Sequence, residues 1–99
     1  MINHVVLFKL KEYPSEEKSK IRAELKTSLL ALKEKISEVK YLEVGENYEL
    51  DSKSYDLALI THFESIADLD VYRVHPEHMK VVKMVGEVTE ARAAVDFNF

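Results

Sequence analysis

The sequence predicts an α+β domain with the element order β-α-β-β-α-β, the ferredoxin-like arrangement, its second helix split at Pro76. Three observations lead there. Four short segments alternate apolar side chains at the two-residue period of a strand. One long segment, Ser15 to Lys35, repeats apolar residues at steps of three and four, as an amphipathic helix does. Pro76 falls between two further helix-like segments, where it must break the helix.

Taken in order, Ile2 to Lys11 is the first strand. Ile2, His4, Val6, Phe8 and Leu10 point one way, and Asn3, Val5, Leu7 and Lys9 the other. Both faces are bulky and apolar at mid-strand, so both need cover. Ser15 is the expected N-cap of the long helix, with Glu16 and Glu17 suited to its first turn. Ile21, Leu25, Leu29, Leu32 and Ile36 form its core stripe. Lys18, Arg22, Lys26 and Lys33 lie mostly off that stripe, on a solvated face. Val39 to Glu46 is a second, weaker strand with Gly45 at a bulge or end. Asn47 to Ser54 is a polar loop. Tyr55 to Phe63 is the third strand. Tyr55, Leu57, Leu59, Thr61 and Phe63 share one face, and Asp56, Ala58, Ile60 and His62 the other.

Ser65 with Asp68 three residues on starts a short helix running to about Arg73. Pro76 opens the next, to about Val85, with Gly86 as its stop. Ala91 to Phe99 is the last strand. Ala93, Val95, Phe97 and Phe99 face one way, and Arg92, Ala94, Asp96 and Asn98 the other. Helices in this arrangement cover one sheet face. The uncovered face would hold Val5, Leu7, Ala58, Ile60, Val95 and Phe97, an association patch that predicts a homodimer with sheets packed face to face. His62 falls on that side.

The 99 residues make a single domain, 1–99. Apolar residues at 46% are enough for a core. The formal net charge is −4, with both signs interspersed, whereas nucleic acid would call for a basic face. No run approaches the length of a membrane span, no leader-like segment opens the chain, and there is no cysteine. The expectation is a cytoplasmic protein with neither nucleic-acid nor membrane partners.

Candidate chemistry gathers between Asp70 and Met79. Two of the four histidines fall there, beside Tyr72. Tyr72 ends one helix and His78 sits in the first turn of the next. The helix dipole disfavours the imidazolium form there, and a neutral imidazole can accept a proton. His75, Glu77 and His78 do not have the H-E-x-x-H spacing of a helical metal site, and Pro76 separates the two histidines. No metal or other cofactor is expected.

The opening Ile2-Asn3-His4-Val5-Val6-Leu7-Phe8-Lys9, then Phe63-Glu64-Ser65, His75-Pro76-Glu77-His78 and the closing Val95-Asp96-Phe97 resemble the stress-responsive dimeric α/β-barrel (Dabb) family. The resemblance covers nearly the whole chain, and its most specific part is His-Pro-x-His. It implies a cleft between helices and sheet. In plant polyketide cyclases of this family, of the olivetolic acid cyclase type, a tyrosine and a histidine catalyse an aldol cyclisation without metal or cofactor. Their Tyr-x-x-His-Pro-x-His pattern matches Tyr72, His75, Pro76 and His78, their early histidine matches His4, and their last-strand aspartate matches Asp96. The implied catalytic pair is Tyr72 and His78, with Asp96 orienting His78. The implied ligand-binding set is His4, Val6, Phe8, Leu57, Leu59, His75 and Asp96. Two features depart from the pattern. Leu57 stands where those cyclases have a histidine, and Ala23, Lys26 and Thr27 stand where they have an aromatic pocket. The proton-transfer pair is kept and the polyketide pocket is not.

Three function classes follow. The first is a Dabb domain of undefined reaction that binds a small organic ligand, such as a carbonyl or phenolic compound. The second is a cofactor-free cyclase, lyase or isomerase using Tyr72 and His78. The third is a cofactor-free monooxygenase-like enzyme, on fold analogy alone.

Overall fold

The computed structural model describes residues 1–48 and 54–99. Its elements are β1 (Ile2–Leu10), α1 (Ser15–Lys35), β2 (Tyr41–Glu46), β3 (Leu57–Phe63), α2 (Ile66–Val74), α3 (Pro76–Val88) and β4 (Thr89–Asn98). The four strands form one antiparallel sheet in the order β2-β3-β1-β4. This is the ferredoxin-like order the sequence predicts, with the second helix divided at Pro76. Among the described residues no helix is long and apolar enough to cross a membrane.

The core forms where strand parity and helix stripe meet. Ile2, Val6, Phe8 and Leu10 of β1 are buried with Leu57, Leu59 and Phe63 of β3. Leu25, Leu29 and Leu32 of α1 close over them, with Ile36 just past the helix end. Leu69 and Tyr72 of α2 and Val85 of α3 complete the layer. Each fully buried side chain of this size contributes about 1.5–3 kcal/mol relative to exposure. Among the described residues no helix covers the opposite sheet face. There Leu7 is 39%, Val95 56% and Phe97 45% exposed.

Several local expectations change. Ser15 is the first helical residue of α1, and Pro14 holds the N-cap position with no side-chain cap. Helix α3 does not stop at Gly86. It runs on to Val88 with ordinary negative φ, because Val85 and Val88 still pack on the core and the Lys11 N–H reaches the Val88 carbonyl at 2.9 Å. β2 begins at Tyr41, because the Val39 N–H first closes a turn onto the Ile36 carbonyl at 3.2 Å. Gly45 pairs with Ala58 in unbroken register, and the irregularity of the sheet lies instead at Lys9/Leu10 against β4. Of the polar loop predicted over 47–54, residues 49–53 lie outside the described residues.

Asp56 is the largest surprise of the sheet. Parity with Ala58 assigned it to the open face, yet it is buried ahead of β3. Its Oδ2 accepts the Leu10 N–H at 2.8 Å, and its Oδ1 lies 3.5 Å from Lys18 Nζ on α1. One carboxylate thus ties the end of β1 to both β3 and α1. Asp56→Ala should destabilise the fold by about 1–3 kcal/mol, since it leaves a buried N–H without an acceptor. Urea denaturation of the two proteins measures this, and an unchanged midpoint would show the carboxylate to be dispensable.

Candidate active site at the α2–α3 junction

Pro76 removes one backbone donor and ends α2, which leaves unpaired groups on both sides of the break. Each is met locally. The His75 N–H closes α2 onto the Tyr72 carbonyl at 3.2 Å. His75 Nδ1 accepts the Glu77 N–H at 3.1 Å and so caps α3. His78 Nδ1 lies 3.0 Å from the Arg73 carbonyl, which can only accept, so Nδ1 carries the proton. His78 Nε2 is left as the ring's acceptor.

Tyr72 comes off the last turn of α2 and packs between aromatic rings. Its ring centroid is 4.2 Å from that of His78, 5.0 Å from Phe63 and 6.2 Å from His4. The residue is 0% exposed, and its hydroxyl is buried without a hydrogen-bond partner among the described residues. Burial pushes the phenol pKa up from 10.0 to about 12, so it is an O–H donor throughout the neutral range.

These groups border a cavity of about 250 Å³ between the sheet and the helices. Val6, Phe8, Leu59 and Ala94 form its sheet wall, and Leu29 comes from α1. Met79, Val81, Val82 and Val85 line it from α3. His4, Tyr72, Arg73, His78 and Arg92 supply its polar groups. Asp96, which is not part of this lining, bridges His4 and Arg73. One carboxylate oxygen accepts from His4 Nδ1, and the other lies 2.9 Å from Arg73 Nη2. Arg73 also pairs with Asp70 at 3.1 Å.

The His78 pKa is lowered from 6.5. Desolvation by burial is the largest cause, opposed by the hydrogen bond to the Arg73 carbonyl and reinforced by His4, Arg92 and His75. The imidazole is therefore neutral at neutral pH, with its lone pair on Nε2.

The structure brings His4, Val6, Phe8, Leu59, Tyr72 and His78 to one cavity. Three expected site residues stand elsewhere. Leu57 is buried in the core but is not part of this cavity wall. His75 spends its Nδ1 on the cap. Asp96 does not reach His78, because the register places it opposite His4, so the orienting acceptor for His78 is a backbone carbonyl instead. Arg92 and the valines of α3 were not singled out as site residues. For Arg92 the signal was present, since it shares its strand face with Ala94 and Asp96. For the α3 valines there was none, because an apolar helix face reads as core. No group of three or more histidine, cysteine, aspartate or glutamate side chains among the described residues is gathered to hold a metal ion.

An antiparallel sheet roofed on one face, with a cavity under a split helix, defines a ferredoxin-like α+β protein. The chain belongs to the stress-responsive A/B barrel domain (Dabb) family, whose profile matches residues 2–99. A dimeric protein of unknown function from Bacteroides fragilis is 37% identical, with a TM-score of 0.89, and the match covers 99% of this chain and 95% of that one. A dimeric ferredoxin-like protein of unknown function from Thermobifida fusca is 23% identical, with a TM-score of 0.82 and coverage of 99% and 90%. The hydroxynitrile lyase of Passiflora edulis shares the fold at 17% identity, with a TM-score of 0.76 and coverage of 97% and 90%. None of the curated proteins matches the sequence.

The depressed His78 pKa has a signature in stability. In the unfolded chain the ring titrates near its ordinary 6.5, and in the folded protein it titrates lower. Below that ordinary value the unfolded state therefore binds more protons, and folding weakens as pH falls. The contribution is whole above about 6.5 and is lost progressively down to the folded pKa. His78→Asn keeps a donor for the Arg73 carbonyl but has no ring to protonate. The stability difference between the two proteins, followed by urea titration across this window, should shift in favour of the variant as pH falls. A difference independent of pH would contradict the assignment.

Proposed function

We propose that this chain binds a small carbonyl-bearing organic molecule, or a phenol, in the cavity between helices and sheet. One observation carries the reading. Tyr72 borders the cavity, and its hydroxyl is buried with no partner among the described residues, a state that costs free energy unless something accepts its proton. A ligand oxygen would do so. His78 Nε2 offers a complementary acceptor, and the apolar walls supply affinity. The cavity is slightly below the usual range of about 300–1,000 Å³ for drug-sized ligands, which favours a small molecule.

The pairing of a neutral donor with a neutral acceptor favours a second reading, a cofactor-independent lyase, cyclase or isomerase acting by enolisation. With a carbonyl oxygen on the Tyr72 hydroxyl, His78 Nε2 takes a proton from the adjacent carbon. The C–H electron pair moves into the enolate, and the tyrosine hydroxyl stabilises its oxygen. A cytoplasmic setting, without nucleic-acid or membrane partners, fits both readings.

The working unit in this reading is a homodimer. Leu7, Val95 and Phe97 lie exposed on the helix-free sheet face with Val5 and Ile60 beside them. A contiguous apolar patch of this kind is an association surface. The Bacteroides fragilis relative is itself dimeric.

A thermal-shift screen of small aryl ketones and phenols should find compounds that raise the melting temperature, as a ligand of the folded state must. Tyr72→Phe should weaken such binding about tenfold while leaving the unliganded protein at least as stable, because it deletes the orphaned hydroxyl. Uniform binding by the wild type and the variant would remove Tyr72 from the site. Light scattering at micromolar concentration should give about twice the 11.5 kDa chain mass. A monomer would end the face-to-face dimer.

A further inference from the structure

We propose that Arg92 selects an anionic ligand, so that the molecule taken into this cavity is an oxo acid: a small, largely apolar carbonyl compound that also carries a carboxylate. The inference deepens the ligand-binding reading above and rests on it.

Charge in the cavity runs against charge in the chain. The protein has 18 acidic residues against 14 lysines and arginines. Yet the described lining holds two arginines, two histidines and a tyrosine, and no aspartate or glutamate. Most of those cationic or polar groups are already engaged. Asp96 takes His4 and Arg73, Asp70 takes Arg73 again, and the Arg73 carbonyl takes His78. On the same side of the sheet Lys18 pairs with Asp56, and both Arg22 and Lys26 pair with Glu46. Arg92 makes no such contact. Among the described residues it has neither an ion pair nor a side-chain hydrogen bond.

Its place on the sheet gives that free guanidinium a direction. Arg92 pairs with Phe8 and lies two residues from Ala94, which pairs with Val6. All of these line the cavity. Its charge is felt across the cavity at His78, where it is among the causes that lower the pKa. An unpaired arginine at an apolar site matches a carboxylate, which it can hold through two parallel N–H bonds. Tyr72 remains to donate to a carbonyl, and the valines of α3 to cover the rest. The two polar functions thus call for a carbonyl and a carboxylate on one small apolar molecule. A cation would be repelled by Arg92, and a neutral compound would leave the guanidinium to water.

Calorimetric titration of the full chain with β-benzoylpropionate and with its neutral amide separates the two ideas, since the pair shares the aryl ketone and differs in charge. The wild type should bind the carboxylate about tenfold more tightly than the amide, in line with a hydrogen bond to a charged group. The preference should shrink with added salt, because Arg92 is exposed. Arg92→Gln should bring the ratio close to one without weakening amide binding, and Arg92→Lys should keep part of the preference. Equal affinities in the wild type, or a preference that survives in Arg92→Gln, would overturn the role of Arg92 while leaving the cavity reading intact. Failure of the wild type to bind either compound would overturn both.

Discussion

The structure of the site depends on one break in the backbone. A proline inside a helix costs about 3 kcal/mol or more, so the chain cannot pass Pro76 as a continuous helix. The break leaves an N–H at Glu77 and a carbonyl at Arg73 in need of partners. Two histidines meet that need, His75 as acceptor and His78 as donor. Only one of them is left with free chemistry facing a cavity. His75 uses its lone pair on the cap, whereas His78 uses its proton on the carbonyl and keeps the Nε2 lone pair. The same local repair therefore makes one imidazole structural and fixes the tautomer of the other.

Tyr72 shows the converse arrangement. Its ring is fully packed against Phe63, His78 and His4, and contributes to the core as an aromatic of that size should. Its hydroxyl is buried and unpaired among the described residues, at a cost to stability of about 1–3 kcal/mol. A residue that serves packing alone would serve it better as phenylalanine. Sites that sacrifice stability for a poised polar group are where function is expected to lie. His78 belongs to the same pattern, since burial holds it neutral at a pH where an exposed imidazole would begin to charge.

The sheet divides its labour between faces. The helix side carries both the core and the cavity, and the cavity occupies the part where α3 spans the β1–β4 pair without filling the space beneath it. The other side is apolar and bare. His62 there stacks on Tyr41 at 4.6 Å and meets Phe99 at 4.5 Å, an aromatic row across the open face. Asp56 is the link between layers, since it satisfies the last N–H of β1 from the start of β3 and faces a lysine of α1.

The element order, strand parity on β1, β3 and β4, the core stripe of α1 and the break at Pro76 were all determined by the sequence alone. These are local properties, set by periodicity and by the geometry of proline, and they need no knowledge of neighbours. The break at Pro76 also placed Tyr72 and His78 at one junction, and the family resemblance added His4 to that candidate site. Tertiary structure decided the partners. Which acceptor orients His78, a carboxylate or a carbonyl, depends on the register of β4 against β1, and that register gave Asp96 to His4. The inward turn of Asp56 depends on an N–H left over at the end of another strand, which no local pattern around Asp56 records. The persistence of α3 past Gly86 depends on core contacts made by Val85 and Val88, which outweigh a weak intrinsic stop. The bonds of Asp56 and Asp96 join residues far apart in the chain, and their pairing is fixed only once the sheet has set its register.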